Sequence, residues 1–134
     1  MPTNPTPGSE PWIMIVDDEP MVRQLIETVL IDRGWNVKTA ASADAALKLV
    51  NAAAVPPTLM ICDVLMPNTD GLELTRLMLG KVPQLDVILI SGHLDDSAWW
   101  PDDLGKIRLL KKPFLNQDLV SAVQEALDNR RQVN

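Results

Sequence analysis

The 134-residue sequence has one cysteine, one histidine and no tyrosine. Cys62 alone cannot close an internal disulfide, and it excludes a cysteine-based metal framework. With His93 as the single imidazole, a multi-histidine metal site or a Ser-His-Asp triad with a spare base is hard to build. Positive charge is also scarce, with 12 Lys and Arg against 18 Asp and Glu for a net charge of −6. No cluster of cations stands ready to neutralise phosphates, so direct nucleic-acid binding is not expected. Long apolar runs are missing. The longest that reads as a strand, Trp12–Val16, is far too short to span a bilayer. The Met-Pro-Thr-Asn-Pro-Thr-Pro start has neither a basic region nor an apolar stretch, so it is no signal peptide. These absences lead to the expectation of a cytoplasmic protein without membrane contact. No Gly-rich loop follows any strand-like run, which argues against nucleotide binding.

What is present is an ordinary globular composition, 46% apolar and 22% charged, at a length that suits one domain. Residues 1–11 hold four of the eleven prolines and read as a flexible lead-in. Residues 12–129 read as the domain, and 130–134 as a tail. Short apolar runs recur at Trp12–Val16, Asn36–Thr39, Leu59–Cys62, Val87–Ile90 and Ile107–Leu110. Four lack polar alternation, as strands buried on both faces of a parallel sheet do. The second alternates and is expected at an edge. Helical stripes separate the runs. Val22, Leu25, Ile26, Val29 and Leu30 form the first, with Pro20 near its start and Gly34 past its end. Ser42 is suited to cap a second over Ala45 to Val50, and Gly80 to close a third over Leu72 to Met78. Residues 94–104 make a poor fourth, interrupted by Pro101. Asn116 is suited to cap a fifth that buries Leu119, Val120, Val123, Ala126 and Leu127. Five strands alternating with five helices predict an α/β fold with right-handed crossovers.

In such sheets ligands bind beyond the carboxyl ends of the strands. The first run ends in Asp17-Asp18, the third in Asp63, the fourth in Ser91 and the fifth in Lys111-Lys112-Pro113. Any one Asp at a strand end is most often a turn former; four ends agreeing is harder to explain that way. Like charges about 4 Å apart repel by roughly 4 kcal/mol at an effective dielectric near 20. A hard cation such as Mg²⁺ relieves that repulsion, and a lysine adds a point charge for a carboxylate or a phosphoryl oxygen. Together these groups describe a phosphoryl-transfer site with an aspartate nucleophile.

The chain from about Trp12 to Asn129 resembles the receiver domain of bacterial two-component response regulators. The resemblance rests on Val16-Asp17-Asp18-Glu19-Pro20, Asp63-Val64-Leu65-Met66-Pro67, Asp70-Gly71, Ser91-Gly92-His93 and Lys112-Pro113. It implies a flavodoxin-like doubly wound sheet of strand order 2-1-3-4-5. It implies Asp63 as the acceptor of a phosphoryl group from a histidine kinase or phosphotransfer protein. Asp18 would be a direct Mg²⁺ ligand, Asp17 an acid acting on the metal largely through water, and the Leu65 backbone carbonyl a further ligand. Lys112 would contact the phosphoryl group and precede a cis proline, and Ser91 would supply the hydroxyl that reports phosphorylation. The chain departs from the family at Leu109, where a Tyr or Phe is usual, so the aromatic switch is not expected in its usual form.

Other residues have two readings. Trp99 and Trp100 are adjacent, so one indole can pack under a short helix while the other anchors a partner. His93 either tunes hydrolysis at the rim of the site or is a solvated loop residue. Lys111 reads as a surface lysine, and Cys62, Met60 and Met78 as packing residues. The resemblance implies a phosphorelay receiver that promotes its own phosphorylation and dephosphorylation without being a conventional enzyme. Its output would be a switch in protein–protein contacts, with a homodimer left open. Alternatives are a receiver module of a hybrid histidine kinase, a receiver serving only as a binding module, or a Mg²⁺-dependent phosphatase of the haloacid dehalogenase type. The last class wants Asp-x-Asp after its first strand, where this chain has Asp17-Asp18. No DNA-binding output region is read after the last helix.

Overall fold

Three runs of wholly or almost wholly buried residues form the inner strands of a parallel sheet: β1 (Ile13–Val16), β3 (Leu59–Asp63) and β4 (Asp86–Ser91). Two partly covered strands, β2 (Val37–Ala40) and β5 (Arg108–Lys111), flank them. The computed structural model describes residues 10–64, 71–92 and 107–132, with side chains described through Asp128. Strand order is β2-β1-β3-β4-β5, every pairing parallel, as expected for a doubly wound sheet. Four helices lie among the described residues: α1 (Pro20–Asp32), α2 (Ala43–Ala52), α3 (Gly71–Lys81) and α4 (Asn116–Gln132). The weak helix expected over 94–104 lies outside them.

Because successive strand residues point to opposite faces, the sheet divides its apolar side chains between two cores. Ile13, Ile15, Leu59, Ile61, Ile88 and Ile90 meet Ile26 and Leu30 of α1 and Leu119, Val123 and Ala126 of α4. On the other face Met14, Val16, Met60, Cys62, Val87 and Leu89 meet Ala43 and Ala46 of α2 and Leu74 and Met78 of α3. Each such side chain, once fully buried, contributes about 1.5–3 kcal/mol of transfer free energy.

Most of the punctuation acts as the sequence implies. Pro20 is the first residue of α1, where its missing N–H would have no intrahelical partner in any case. Gly34, at φ +91°, ends α1: its N–H donates to the Ile31 carbonyl at 2.9 Å, and the Trp35 N–H donates to Leu30 at 3.2 Å. Ser42 caps α2 by accepting the Ala45 N–H at 3.1 Å. Three expectations need correction. Gly80 lies inside α3, which continues through it to Lys81; one glycine is too small a penalty to stop a packed helix. Asn116 is the first residue of α4, and the cap comes from Asp118, whose Oδ2 accepts the Leu115 N–H at 3.2 Å. β5 reads from its unbroken run as buried on both faces, but at the edge that the implied strand order gives it Arg108, Leu109 and Leu110 are only half-buried. Leu109 and Leu110 pack on opposite cores, which explains the unbroken apolar pattern.

Candidate functional site

From β1 the chain winds to β2 on one side and then crosses to β3 on the other, so strand order reverses between β1 and β3. The following helices, α1 and α3, cover opposite faces. A crevice therefore opens at the carboxyl ends of these two strands. Register decides what stands in it. Val16 pairs with Cys62, so Asp17 stands level with Asp63. Asp63 pairs with Ile90 and Ser91 with Lys111, which carries the same edge across to Ser91 and Lys112.

Asp17, Asp18 and Asp63 each bring a carboxylate oxygen to within 4.8 Å of the others. Asp17 and Asp63 are buried and Asp18 is half-buried. Asp17 is tied on three sides. Its N–H donates to the Ala40 carbonyl at 3.2 Å, its Oδ1 accepts the Glu19 N–H at 2.9 Å, and its carbonyl accepts Nη1 of Arg23 at 2.7 Å. Its Oδ2 is buried and has no hydrogen-bond partner. Burial pushes the Asp17 carboxyl up to about 6; the Glu19 N–H opposes the rise, the charge of Asp63 adds to it, Lys112 opposes it and Asp18 adds to it. A buried carboxylate oxygen without a partner, beside two further carboxylates, is a donor set that fits a hard divalent cation.

Lys112 Nζ lies 3.1 Å from Asp63 Oδ2 and 4.0 Å from Glu19 Oε1. Partial burial works against its charge, but the hydrogen bond and charge of Asp63, then the charges of Asp17 and Glu19, outweigh it and hold its pKa above the ordinary lysine value. The Lys112–Pro113 peptide is cis, as the resemblance implies. The Lys112 N–H donates to the Ser91 carbonyl at 2.8 Å, and the Ser91 side chain is buried. Lys111 is exposed, as expected of a surface lysine. Leu109 is half-buried against the α2/α3 core. Cys62, Met60 and Met78 are packing residues with no exposed surface.

Thus Asp17, Asp18, Asp63 and Lys112 converge, and Ser91 stands on the same edge. Leu65, His93, Trp99 and Trp100, with Met66, Pro67 and Asp70, lie outside the described residues. Two residues escaped the sequence reading as site components. Arg23, on the first turn of α1, reaches the carbonyl of Asp17. Gly71, quoted above only as a motif residue, donates its N–H to the Val64 carbonyl at 2.6 Å. A methyl group on Gly71 would overlap the Asp63 carbonyl oxygen and stand 2.9 Å from the Val64 Cα. Its place after an Asp at a helix start was a signal of close backbone approach.

An open α/β module with an acidic cluster and a lysine at its switch point belongs with the doubly wound folds that bind their ligands where strand order reverses. The sequence profile of the response regulator receiver domain matches residues 13–124, and the chain belongs to that family. It is 35% identical over 122 residues to the nitrogen assimilation regulatory protein NtrX of Azorhizobium caulinodans, covering 89% of this chain and 26% of that protein. The chain thus spans about a quarter of that relative's length. The crystal structure of the receiver domain of NtrX from Brucella abortus superposes with a TM-score of 0.78 at 34% identity, over 87% of this chain and 98% of that one. A receiver domain from Clostridium thermocellum gives 0.83 at 28% identity, over 93% of this chain and all of that one. The chain is a two-component phosphorelay receiver. These relatives are regulators, so the phosphatase and hybrid-kinase readings are not favoured.

Proposed function

We propose that this receiver takes a phosphoryl group from the phosphohistidine of a histidine kinase onto a carboxylate oxygen of Asp63. One observation carries the choice of Asp63: it belongs both to the carboxylate trio and to the 3.1 Å pair with Lys112. Asp17, Asp18, Asp63 and the backbone carbonyl of Leu65 would hold Mg²⁺, which when bound supplies positive charge against the phosphoryl oxygens. In the transfer, Asp63 forms a P–O bond as the P–N bond breaks. The imidazole nitrogen keeps the bonding pair and takes up a proton. Lys112 turns its ammonium from the Asp63 carboxylate to the new phosphoryl oxygens, and Ser91 offers its hydroxyl to one of them. Water later attacks the acyl phosphate and restores the carboxylate, which limits the signal.

With Leu109 in place of an aromatic residue, output passes through the backbone that follows Ser91 into protein–protein contacts. The receiver unit covers residues 12–129 on this reading. The acidic balance suits protein partners better than a phosphate backbone. The Azorhizobium relative's name ties that protein to nitrogen assimilation, and a regulatory output of the same kind is proposed here. Incubation with acetyl phosphate and Mg²⁺ is expected to add one phosphoryl group by intact mass. Asp63→Asn or a chelator abolishes it. An adduct that persists in both would overturn the assignment.

A further inference from the structure

We infer that Arg23 is a positioning residue for the cation site, holding the Asp17 peptide so that the buried Oδ2 is presented to Mg²⁺. The inference rests on the metal reading above and concerns how this chain prepares its own ligand. Asp17 has four hydrogen-bonding atoms, and three are committed. The N–H is tied to β2 through Ala40, Oδ1 to the Glu19 N–H, and the backbone oxygen to Arg23 Nη1 at 2.7 Å. The fourth, Oδ2, is buried with no partner. The backbone oxygen is the atom that would otherwise leave the peptide free to turn, because Asp17 lies beyond the last residue of β1. Arg23 therefore closes the set from outside the strand, reaching six residues back from α1.

Arginine suits this task. Its backbone N–H donates to the Glu19 carbonyl at 3.0 Å at the start of α1, which fixes the root of the side chain. Its planar guanidinium then offers a donor in a fixed orientation, which the mobile, strongly hydrated ammonium of lysine does not. Groups that orient a metal's ligands typically change affinity by roughly 10–100-fold when removed.

The test is calorimetric titration of the full chain with Mg²⁺, alongside thermal midpoints in chelator. Arg23→Met keeps the apolar stem and removes the donors. It is expected to raise the Mg²⁺ Kd by about tenfold or more, while Arg23→Lys recovers part of the affinity. Thr58→Ala, which removes a hydrogen bond from Thr58 Oγ1 to the Trp12 carbonyl at the amino edge of the sheet, serves as the control for general destabilisation and is expected to keep the wild-type Kd. Arg23→Met binding Mg²⁺ as tightly as wild type, or weakened no more than Thr58→Ala, would overturn the inference. Should Arg23→Met fail to fold, Arg23→Lys at wild-type affinity overturns it, and a weakened Kd supports it. A wild-type chain that binds no Mg²⁺ overturns both this inference and the metal reading beneath it, so the two failures are distinguishable.

Discussion

Asp17 shows how burial at one residue sets both chemistry and stability. Its folded-state pKa is raised from 3.8 to about 6. The folded protein therefore holds this proton more tightly than the unfolded chain. The contribution of this group to the stability of the metal-free protein falls as pH rises from about 4 to about 6. The difference corresponds to roughly 3 kcal/mol. Asp17→Asn is thus expected to be more stable than wild type at pH 7.5 in chelator, with the gap closing toward pH 4. Urea denaturation at the two pH values measures it, and a gap independent of pH would mean that the buried Asp17 carboxyl does not set it. At this scale much was legible. Asp17, Asp18, Asp63, Ser91 and Lys112 could be placed because a parallel strand is an apolar run, and its end is where the run stops. Arg23 could not, because a long side chain bonding to a backbone carbonyl leaves no pattern in composition or period. The unpartnered state of Asp17 Oδ2 was equally invisible, since it depends on where three other atoms find partners.

Among the elements, α3 carries two glycines with opposite demands. Gly71 packs against the backbone of Asp63 and Val64, and an added methyl group would overlap it. Gly71→Ala is expected to cost about 1–3 kcal/mol as an overpacking change, and to lower phosphorylation by displacing Asp63. At Gly80 nothing lies within 4 Å of an added Cβ, so Gly80→Ala is expected to add about 0.5–1 kcal/mol. Denaturation midpoints of the two variants should move in opposite directions; a shared sign would contradict this reading of α3. Gly80 misleads in the sequence, because glycine near the end of an apolar stripe reads as a stop whether or not the helix passes through it. For the same reason Asn116 reads as a cap, although Asp118 provides one from two residues further along. β5 was legible as a strand, but its half-burial was not, because its apolar residues serve two cores at once and so read as a run covered on both faces.

For the whole molecule, the acidic crevice ties folding to cation binding. A ligand that binds only the native state stabilises it by about 2.7 kcal/mol at 100 times its Kd. Saturating Mg²⁺ is therefore expected to raise the Tm of the wild-type chain at neutral pH and to leave Asp17→Asn nearly unmoved. Equal shifts in both proteins would point to a general salt effect. The layered arrangement itself followed from alternation of apolar runs and helical stripes, since a sheet covered on both faces needs both signals in turn. No helix among the described residues is long and apolar enough to cross a membrane, in line with the short runs of the sequence.

Asp63, among three neighbouring carboxylates, is proposed as the phosphoryl acceptor. The most direct measurement is peptide mapping after phosphorylation and reductive trapping of the acyl phosphate with borohydride, which converts the modified aspartate to homoserine. Transfer to Asp63 yields homoserine at position 63 alone, dependent on Mg²⁺. Homoserine at 17 or 18, or none at 63 in phosphorylated protein, would contradict it.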